Sequence, residues 1–231
     1  DFSSTMRGYT KNGKMEVIDS VSYPHSLGIF YTALTQWLGF PHYGDEYKVM
    51  GLAPYGQPTE LDKVAQLILL KDNGLFELNP RFFRHFKEGV NMDWQGGSPH
   101  VGTLYTEALC TLLGPARSPD EPLSDYHRNL ATSVQRMAEK VIFHLAEDLQ
   151  RKTGQKNLCL AGGVAQNSVA NGKLLANTSF EKLFVPPAGH DAGTSIGAAL
   201  YALHQVDNQP RAPFQHQAYT GAHFSNEQLE A

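Results

Sequence analysis

The stretch that decides the fold runs from Asn157 to Gly172 and reads N-L-C-L-A-G-G-V-A-Q-N-S-V-A-N-G. A short apolar run leads into two adjacent glycines, and residues of helical composition follow. This order predicts a strand, a glycine turn and the start of a helix. Because Gly162 and Gly163 lack a Cβ atom, the backbone there can approach a ligand, and free N–H groups at a helix start favour an anion such as a phosphate. The alternative is a simple tight connection between strand and helix, and the glycine pair alone does not decide between the two.

A second segment repeats the same order. The apolar run from Lys182 to Val185 leads into P-P-A-G-H-D-A-G-T, and small residues from Ile196 to Leu203 favour another helix. Ligands of α/β proteins gather at the carboxyl ends of strands, so the two loops together suggest one nucleotide and metal site. Asp191 would stand at a strand end, where a carboxylate binds a cation or orients a hydroxyl. An ordinary helix N-cap is the alternative for Asp191, and His190 is interpreted as a surface histidine.

Local signals predict the remaining elements. Asn12-Gly13 between two extended runs indicates a type I′ β-hairpin over Met6 to Val21. Apolar spacing predicts four helices, over Leu27 to Leu38, Thr59 to Leu70, about Thr103 to Leu113, and from Ser124 to the stop at Gly154. Leu75 to Leu78 is interpreted as a strand, and Ser225 to Leu229 as the capped start of another helix. The segment from His42 to Gly56 is too rich in glycine for an ordinary helix, and 81–100 has little periodicity and is interpreted as an insertion or rim.

Composition narrows the class of protein. The 231 residues suffice for one large domain or two small ones, and 18% charged residues with a net charge of −4 give no global basic field for nucleic acid. Cys110 and Cys159 each lie in an apolar segment, which favours reduced, packed thiols and a cytoplasmic location. No apolar run approaches the ~20 residues that span a bilayer, and no HxxxH or HExxH pair occurs among the ten histidines. The sequence predicts small-molecule or protein partners, with no membrane association.

Four segments resemble the O-carbamoyltransferases of the NodU/CmcH type. They read P-H-S-L-G-I-F-Y-T-A-L-T-Q-W-L-G-F from Pro24, G-D-E-Y-K-V-M-G-L-A-P-Y-G from Gly44, L-A-G-G-V-A-Q-N-S-V-A-N-G from Leu160, and P-P-A-G-H-D-A-G-T-S-I-G-A-A-L from Pro186. The resemblance covers most of the chain from about Pro24 to Leu203. It implies an α/β, ASKHA-type (actin, sugar kinase, Hsp70) lobe with a mixed sheet flanked by helices. It also implies the conversion of carbamoyl phosphate and ATP to carbamoyl adenylate, whose carbamoyl group passes to a hydroxyl of a sugar-containing or natural-product acceptor.

The resemblance also implies roles for individual residues. Gly163 and Asn167 would contact the adenine nucleotide, and Gly162 would shape the turn. The loop from Pro24 to Gly28 would lie near the nucleotide. Asp191 would be the catalytic carboxylate and the ligand of a divalent metal, namely iron, magnesium or manganese. The nucleotide-binding set is completed by residues at the entry of the first predicted helix and in the Gly-Asp-Glu-Tyr-Lys block, namely Ser26, Gly28, Glu46 and Lys48.

Two features that the resemblance implies are expected outside these residues. The two metal-binding histidines of the family belong to an upstream segment, and its second, YrdC-type domain lies C-terminal to the transferase domain. We expect residues 1–210 to form part of the N-terminal transferase domain, mainly its second lobe, with an insertion around 57–120. Residues 211–231 would be a linker towards the missing C-terminal domain. The missing remainder of the chain would then be a partner, and the fragment is expected to be inactive alone.

Two other functions stay open at this point. One is a threonylcarbamoyl-adenosine or hydrogenase-maturation type of carbamoyltransferase, which shares the lobe and the glycine turn. The other is a non-catalytic ASKHA module that binds ATP without carbamoyl chemistry. The Gly-Asp-Glu-Tyr-Lys block resembles the carbamoyltransferases and not the ATPases.

Overall fold

The computed structural model describes residues 2–211, 221–222 and 224–230, and it has the α/β character that the sequence predicts. The strands are β1 (Ser3–Lys11), β2 (Lys14–Ser22), β3 (Ile68–Leu70), β4 (Phe76–Leu78), β5 (Met92–Gln95), β6 (Ser98–Val101), β7 (Asn157–Cys159) and β8 (Lys182–Phe184). The helices are α1 (Leu27–Trp37), α2 (Glu46–Leu52), α3 (Leu61–Val64), α4 (His85–Glu88), α5 (Glu107–Leu113), α6 (Asp125–Thr153), α7 (Ser168–Leu174), α8 (Thr194–Tyr201) and α9 (Asn226–Glu230).

The described strands form four two-stranded sheets, and a single larger mixed sheet is not found among them. The pairs β1–β2, β3–β4 and β5–β6 are antiparallel. Strand β7 pairs with strand β8, and helix α7 lies between them in the sequence. The three elements form a βαβ unit. Strands β3 to β8 are only three or four residues long, so each supplies few backbone hydrogen bonds for a third strand.

The hairpin β1–β2 confirms the predicted turn. Asn12 and Gly13 both have positive φ angles, +52° and +77°, as a type I′ turn requires. Lys11 pairs with Lys14 directly across the turn.

Helices α6 and α1 contribute more buried apolar side chains than any other described element. The Ser26 side chain caps α1 by accepting a hydrogen bond from the Ile29 N–H at 3.3 Å. Helix α6 follows Ser124 and ends at Gly154, which adopts the left-handed conformation with φ +66°. Most of the apolar side chains on one face of α6 are buried, and α1 also buries apolar side chains. The buried apolar side chains of the two helices include Phe30, Leu34, Trp37, Leu130, Val134, Met137 and Val141.

The prediction for residues 42–56 was wrong. Residues Glu46–Leu52 form the helix α2, and Ala53–Tyr55 continue it as a 3-10 turn. Helix α2 packs on α6 with Val49 fully buried, and this tertiary burial outweighs the roughly 1 kcal/mol that Gly51 costs inside a helix.

The prediction of a helix from Thr59 to Leu70 was too long. It is helical only over Leu61–Val64, with a 3-10 turn at Ala65–Leu67. The last three residues form β3 instead, because they pair with β4 across the turn at 71–75. The strand predicted at Leu75 to Leu78 is confirmed as β4.

The segment 81–113 is more regular than the sequence indicates. It contains α4, the hairpin β5–β6 and α5, which begins at Glu107, four residues later than predicted. At the far end, α9 confirms the predicted helix start, since Ser225 accepts from the Gln228 N–H at 3.3 Å. Of the linker expected at 211–231, residues 212–220, His223 and Ala231 lie outside the described residues.

Both cysteines are free, but only Cys110 is partly buried, and Cys159 is exposed. The prediction of two packed thiols is therefore wrong for Cys159. Among the residues that the structure describes, none of the helices has the length and apolar character needed to cross a bilayer.

The chain divides into two compact units. The first comprises Asp1–Leu158 and Asn167–Leu183, and the second comprises Cys159–Gln166 and Phe184–Ala231.

Candidate functional site

In the second unit the two glycine loops lie side by side. The Gly162 N–H donates a hydrogen bond of 2.6 Å to the Gly189 carbonyl oxygen. Gly162 has φ +106°, a conformation that favours glycine, whereas Gly163 is exposed and begins the 3-10 turn Gly163–Gln166. Because its N–H is already paired, Gly162 shapes the turn and has no N–H to offer a phosphate.

Asp191 is the first residue of a 3-10 turn, Asp191–Gly193, in the second loop. The cap of this turn is His190, whose Nδ1 accepts from the Ala192 N–H at 3.4 Å, so the N-cap alternative for Asp191 is wrong. The Asp191 side chain is exposed and makes no hydrogen bond or ion pair to any described residue. A side chain at Gly193 would lie 2.0 Å from the Ala188 carbonyl oxygen, so glycine is required there.

One exposed carboxylate is a single oxygen ligand. Within the described part of the chain no three His, Cys, Asp or Glu side chains lie close enough to hold a metal ion together. Divalent cations take several oxygen or nitrogen ligands. The described residues therefore do not make a complete metal centre around Asp191.

In the first unit, contacts of two histidines tie the loop that leads into α1 to other parts of the unit. His85 lies at 2.7 Å from the Pro24 carbonyl oxygen through Nε2, and His25 accepts from the Leu78 N–H at 2.9 Å through Nδ1. Burial lowers the pKa of His85, although the Pro24 carbonyl acts in the opposite direction. Because the other ring nitrogen, Nδ1, is buried without a hydrogen-bond partner, the neutral ring with its proton on Nε2 fits this contact. Ser26 and Gly28 follow this fixed loop.

Glu46 and Lys48 point to different neighbours, although both were predicted to face one cleft. The Thr32 hydroxyl donates to Glu46 Oε1 at 2.6 Å, and Thr32 Oγ1 also lies 3.1 Å from the Gly28 carbonyl oxygen. Lys48 instead pairs with Asp45 at 2.7 Å, next to the ring of Phe40. Side chains two positions apart on a helix point about 200° apart around its axis, so the Glu46 and Lys48 side chains are separated. Glu46, Thr32 and Gly28 therefore form one group, and Lys48 belongs to another.

A buried polar network joins α1, α6 and α7. Tyr31 donates to Gln135 Oε1 at 2.9 Å, and Gln135 and Asn167 exchange two hydrogen bonds of 2.9 and 3.0 Å through their amide groups. Asn167 is also the N-cap of α7, where its Oδ1 accepts from the Ala170 N–H at 3.0 Å. Both lone pairs of Asn167 Oδ1 and one of its two Nδ2 hydrogens are thus used inside the protein.

The negative charge of the network is Glu139. Its side chain is 3% exposed, and it accepts from Gln135 Nε2 at 3.1 Å and from Lys173 Nζ at 2.6 Å. Arg136 lies 3.4 Å away on the exposed side. Burial raises the pKa of Tyr31, and the charges of Glu139 and Glu46 raise it further, so Tyr31 stays a neutral donor. The network joins the Asn167 amide to a charged, fully paired carboxylate.

Sequence reasoning found Glu46 and Asn167 but missed Tyr31, Gln135, Glu139 and Lys173. The available signal was on α6, where Gln135 and Glu139 lie four residues apart, on the same side of the helix as the buried apolar positions Ala138 and Ile142. A polar pair inside an apolar face indicates a buried hydrogen-bond network, because buried polar groups require partners.

The sequence of the chain matches one protein family over most of its length. A family model described as "Carbamoyltransferase N-terminus" matches residues 4–200, which include all four motifs and the whole polar network. The chain belongs to the carbamoyltransferase N-terminus family. This confirms the family that the four motifs indicate.

Individual relatives of this carbamoyltransferase domain are longer than the chain. It is 39% identical to an uncharacterised protein of Synechocystis over 91% of the chain, and 35% identical to nodulation protein NolO of Bradyrhizobium diazoefficiens over 90%. Nodulation protein U of the same Bradyrhizobium is 26% identical over 79% of the chain. The matches cover 33%, 34% and 34% of these three relatives, so the chain spans about a third of their length.

Proposed function

We propose that this domain belongs to an ATP-dependent O-carbamoyltransferase. The observation that carries the proposal is the family match over residues 4–200, which includes each of the four motifs. In the proposed reaction, carbamoyl phosphate, ATP and water give carbamoyl adenylate, inorganic phosphate and pyrophosphate. The carbamoyl group then passes to a hydroxyl of a sugar-containing or natural-product acceptor, and AMP leaves. The domain would be part of an ASKHA-type lobe.

The nucleotide would be bound by the residues that the motifs single out. These would be Ser26 and Gly28 at the start of α1, Glu46 and Lys48 in α2, Asn167 at the cap of α7, and Gly163, with Gly162 shaping the turn before it. Asn167 supports this role because one hydrogen on its Nδ2 is left for a ligand, while its other polar contacts hold it in place. The exposed backbone of Gly163 supports its role in the same way.

Asp191 would be the catalytic carboxylate. Its exposed side chain, with no described protein partner, is available to orient an acceptor hydroxyl or to supply one oxygen to a cation. A single carboxylate does not make a metal site, so no chemical step is assigned to a cation here. Catalysis would then come mainly from holding the acceptor hydroxyl and the adenylate in line.

The direct test uses the full-length gene product. It is incubated with ATP and carbamoyl phosphate, and the products are separated by chromatography. Pyrophosphate release that depends on carbamoyl phosphate is the expected result. Release of ADP without pyrophosphate would contradict the adenylate route and favour an ATPase.

Substitutions localise the activity within the chain. Asn167→Ala is expected to lower carbamoyl-phosphate-dependent pyrophosphate release at least tenfold, and Asp191→Ala is expected to lower AMP release in the presence of a sugar hydroxyl acceptor at least tenfold. The matched controls are Asp207→Ala, an exposed aspartate of the same unit as Asp191, and Asn177→Ala, an exposed asparagine of the same unit as Asn167. Equal activity in all four variants would refute the assignment of these two residues.

A further inference from the structure

Gln135 is the hub of the buried network, and it has no unused hydrogen-bonding group. It is 2% exposed in the middle of α6. Its Oε1 accepts from Tyr31 at 2.9 Å and from Asn167 Nδ2 at 2.9 Å. Its Nε2 donates to Glu139 at 3.1 Å and to Asn167 Oδ1 at 3.0 Å. All four positions that a glutamine amide offers are therefore filled.

The direction of the hydrogen bonds that Gln135 makes is set by the carboxylate of Glu139. A carboxylate only accepts, so Glu139 fixes the Nε2 end of Gln135 towards itself. With that end fixed, Oε1 must face the Tyr31 hydroxyl and the Asn167 Nδ2. A rotation of the Gln135 amide by 180° would place two acceptors against each other at 3.1 Å.

The same reasoning fixes Asn167. Its Oδ1 receives two donors, Gln135 Nε2 and the Ala170 N–H, both at 3.0 Å. Turning the Asn167 amide over would bring Nδ2 against these two donors and Oδ1 against Gln135 Oε1. The orientation of Asn167 is thus fixed from two sides, by the Ala170 N–H and, through Gln135, by Glu139, which in turn is paired with Lys173 at 2.6 Å.

We propose that Gln135 is a positioning residue of the nucleotide site, which holds the Asn167 amide in the single orientation that leaves one Nδ2 hydrogen for the ligand. The inference rests on the proposed function, in which Asn167 contacts ATP. Gln135 itself contacts no ligand in this proposal and acts only through Asn167.

The test is a double-mutant cycle on ATP binding, measured by calorimetry on the full-length gene product. The variants are Gln135→Met, Asn167→Ala and the two together. Each single substitution is expected to weaken ATP binding about tenfold. The double variant is expected to bind ATP as weakly as Asn167→Ala and no more weakly, because Gln135 has nothing to position once the amide is gone.

A control separates positioning from loss of stability. Ser133 is a fully buried polar residue two positions away on α6, and it accepts from the Glu60 N–H at 3.1 Å without touching Asn167. Ser133→Ala is expected to lower the denaturation midpoint but to change the ATP affinity less than twofold. If Gln135→Met does not fold, Glu139→Gln is measured instead. It keeps the shape of the network but removes the charge that orients Gln135, and it is expected to weaken ATP binding at least threefold.

The outcomes distinguish the two proposals. If Asn167→Ala weakens ATP binding and Gln135→Met does not, or if the two losses multiply in the double variant, the positioning role is refuted and the nucleotide site stands. If Asn167→Ala binds ATP as well as the wild type, the assignment of Asn167 itself is refuted.

Discussion

Gly74 lies so close to Asp148 that it leaves no room for a side chain. A Cβ atom at Gly74 would be 2.1 Å from the carboxyl carbon and from Oδ2 of Asp148. Asp148 is 5% exposed and pairs with Arg7 at 3.0 Å and with Lys152 at 2.7 Å, while Arg7 also donates to the Gly74 carbonyl at 3.1 Å. The turn before β4 is thereby fixed to both the hairpin β1–β2 and the end of α6.

Substitution of Gly74 tests this contact. Gly74→Ala is expected to destabilise the protein by about 3 kcal/mol or more, because the new methyl group displaces a buried, paired carboxylate and Gly74 has φ +80°. Gly13→Ala is the matched control, since Gly13 has φ +77° but no atom within 4 Å of a Cβ there. It is expected to cost only the backbone strain of about 1–2 kcal/mol. Equal shifts of the two urea unfolding curves would contradict the close contact.

Asp148 also predicts a dependence of stability on pH. Burial alone would raise its pKa, but the hydrogen bonds from Lys152 and Arg151 and the charge of Arg7 outweigh burial and lower it to about 2. The pKa of the folded state is thus below the unfolded value of 3.8, and the carboxylate stabilises the fold above that value. This contribution, roughly 2 kcal/mol at most, is lost as the pH falls through about 2.

The corresponding measurement is the free energy of unfolding of Asp148→Asn between about pH 6 and pH 2. The variant is expected to show a smaller loss of stability over this range than the wild type. Asp125→Asn, at a side chain 94% exposed on the same helix, is expected to follow the wild-type curve. Parallel curves for Asp148→Asn and the wild type would show that Asp148 is not a perturbed group.

The ion pair of Glu139 with Lys173 is expected to contribute to stability because its carboxylate is buried. Lys173→Met should cost about 1–2 kcal/mol, since Glu139 keeps Gln135 and the more distant Arg136 but loses its nearest cation. Lys156 pairs with Glu181 at the same 2.6 Å, but both side chains are more than half exposed. Lys156→Met should therefore leave the free energy of unfolding nearly unchanged. The interpretation fails if the exposed pair costs as much as the buried one.

Thr32 is expected to matter for the nucleotide through Glu46. Thr32→Val keeps the shape but removes the hydroxyl that donates to Glu46 Oε1, so the carboxylate loses its fixed position. We expect ATP binding to weaken about threefold to tenfold, or by roughly 0.7 to 1.4 kcal/mol. Thr111→Val is the control. The hydroxyl of Thr111, like that of Thr32, donates to the carbonyl four residues earlier, but Thr111 is exposed and lies elsewhere in the unit. Unchanged ATP affinity in Thr32→Val would remove the support for Glu46.

Local signals predicted those parts of the fold that local physics decides. The type I′ turn at Asn12-Gly13 follows from the positive φ angles that these residue types tolerate. The span of α6 follows from a long apolar stripe with a serine before it and a left-handed glycine after it. In both cases the deciding residues lie within a few positions of one another.

Elements decided by distant contacts were missed. Helix α2 contains Gly51 and becomes helical where Val49 is buried against α6, some 80 residues further along the chain. The same holds for the site, because the partners of Gln135 on α1 and α7 lie 104 and 32 residues away. No spacing rule within a single helix contains that information. The glycine loops were predictable because each carries its own turn chemistry.

The chain passes between its two compact units three times, after Leu158, Gln166 and Leu183. A unit that one linker joins to the rest of a protein can be exchanged at a single junction, but the second unit of this chain cannot. Replacing the second unit would require exchanging residues 159–166 together with those from 184 onward, while 167–183 and its Asn167 cap remain with the first. Recombination during evolution would therefore need three junctions to exchange the second unit, and a single crossover would separate parts of one unit from each other.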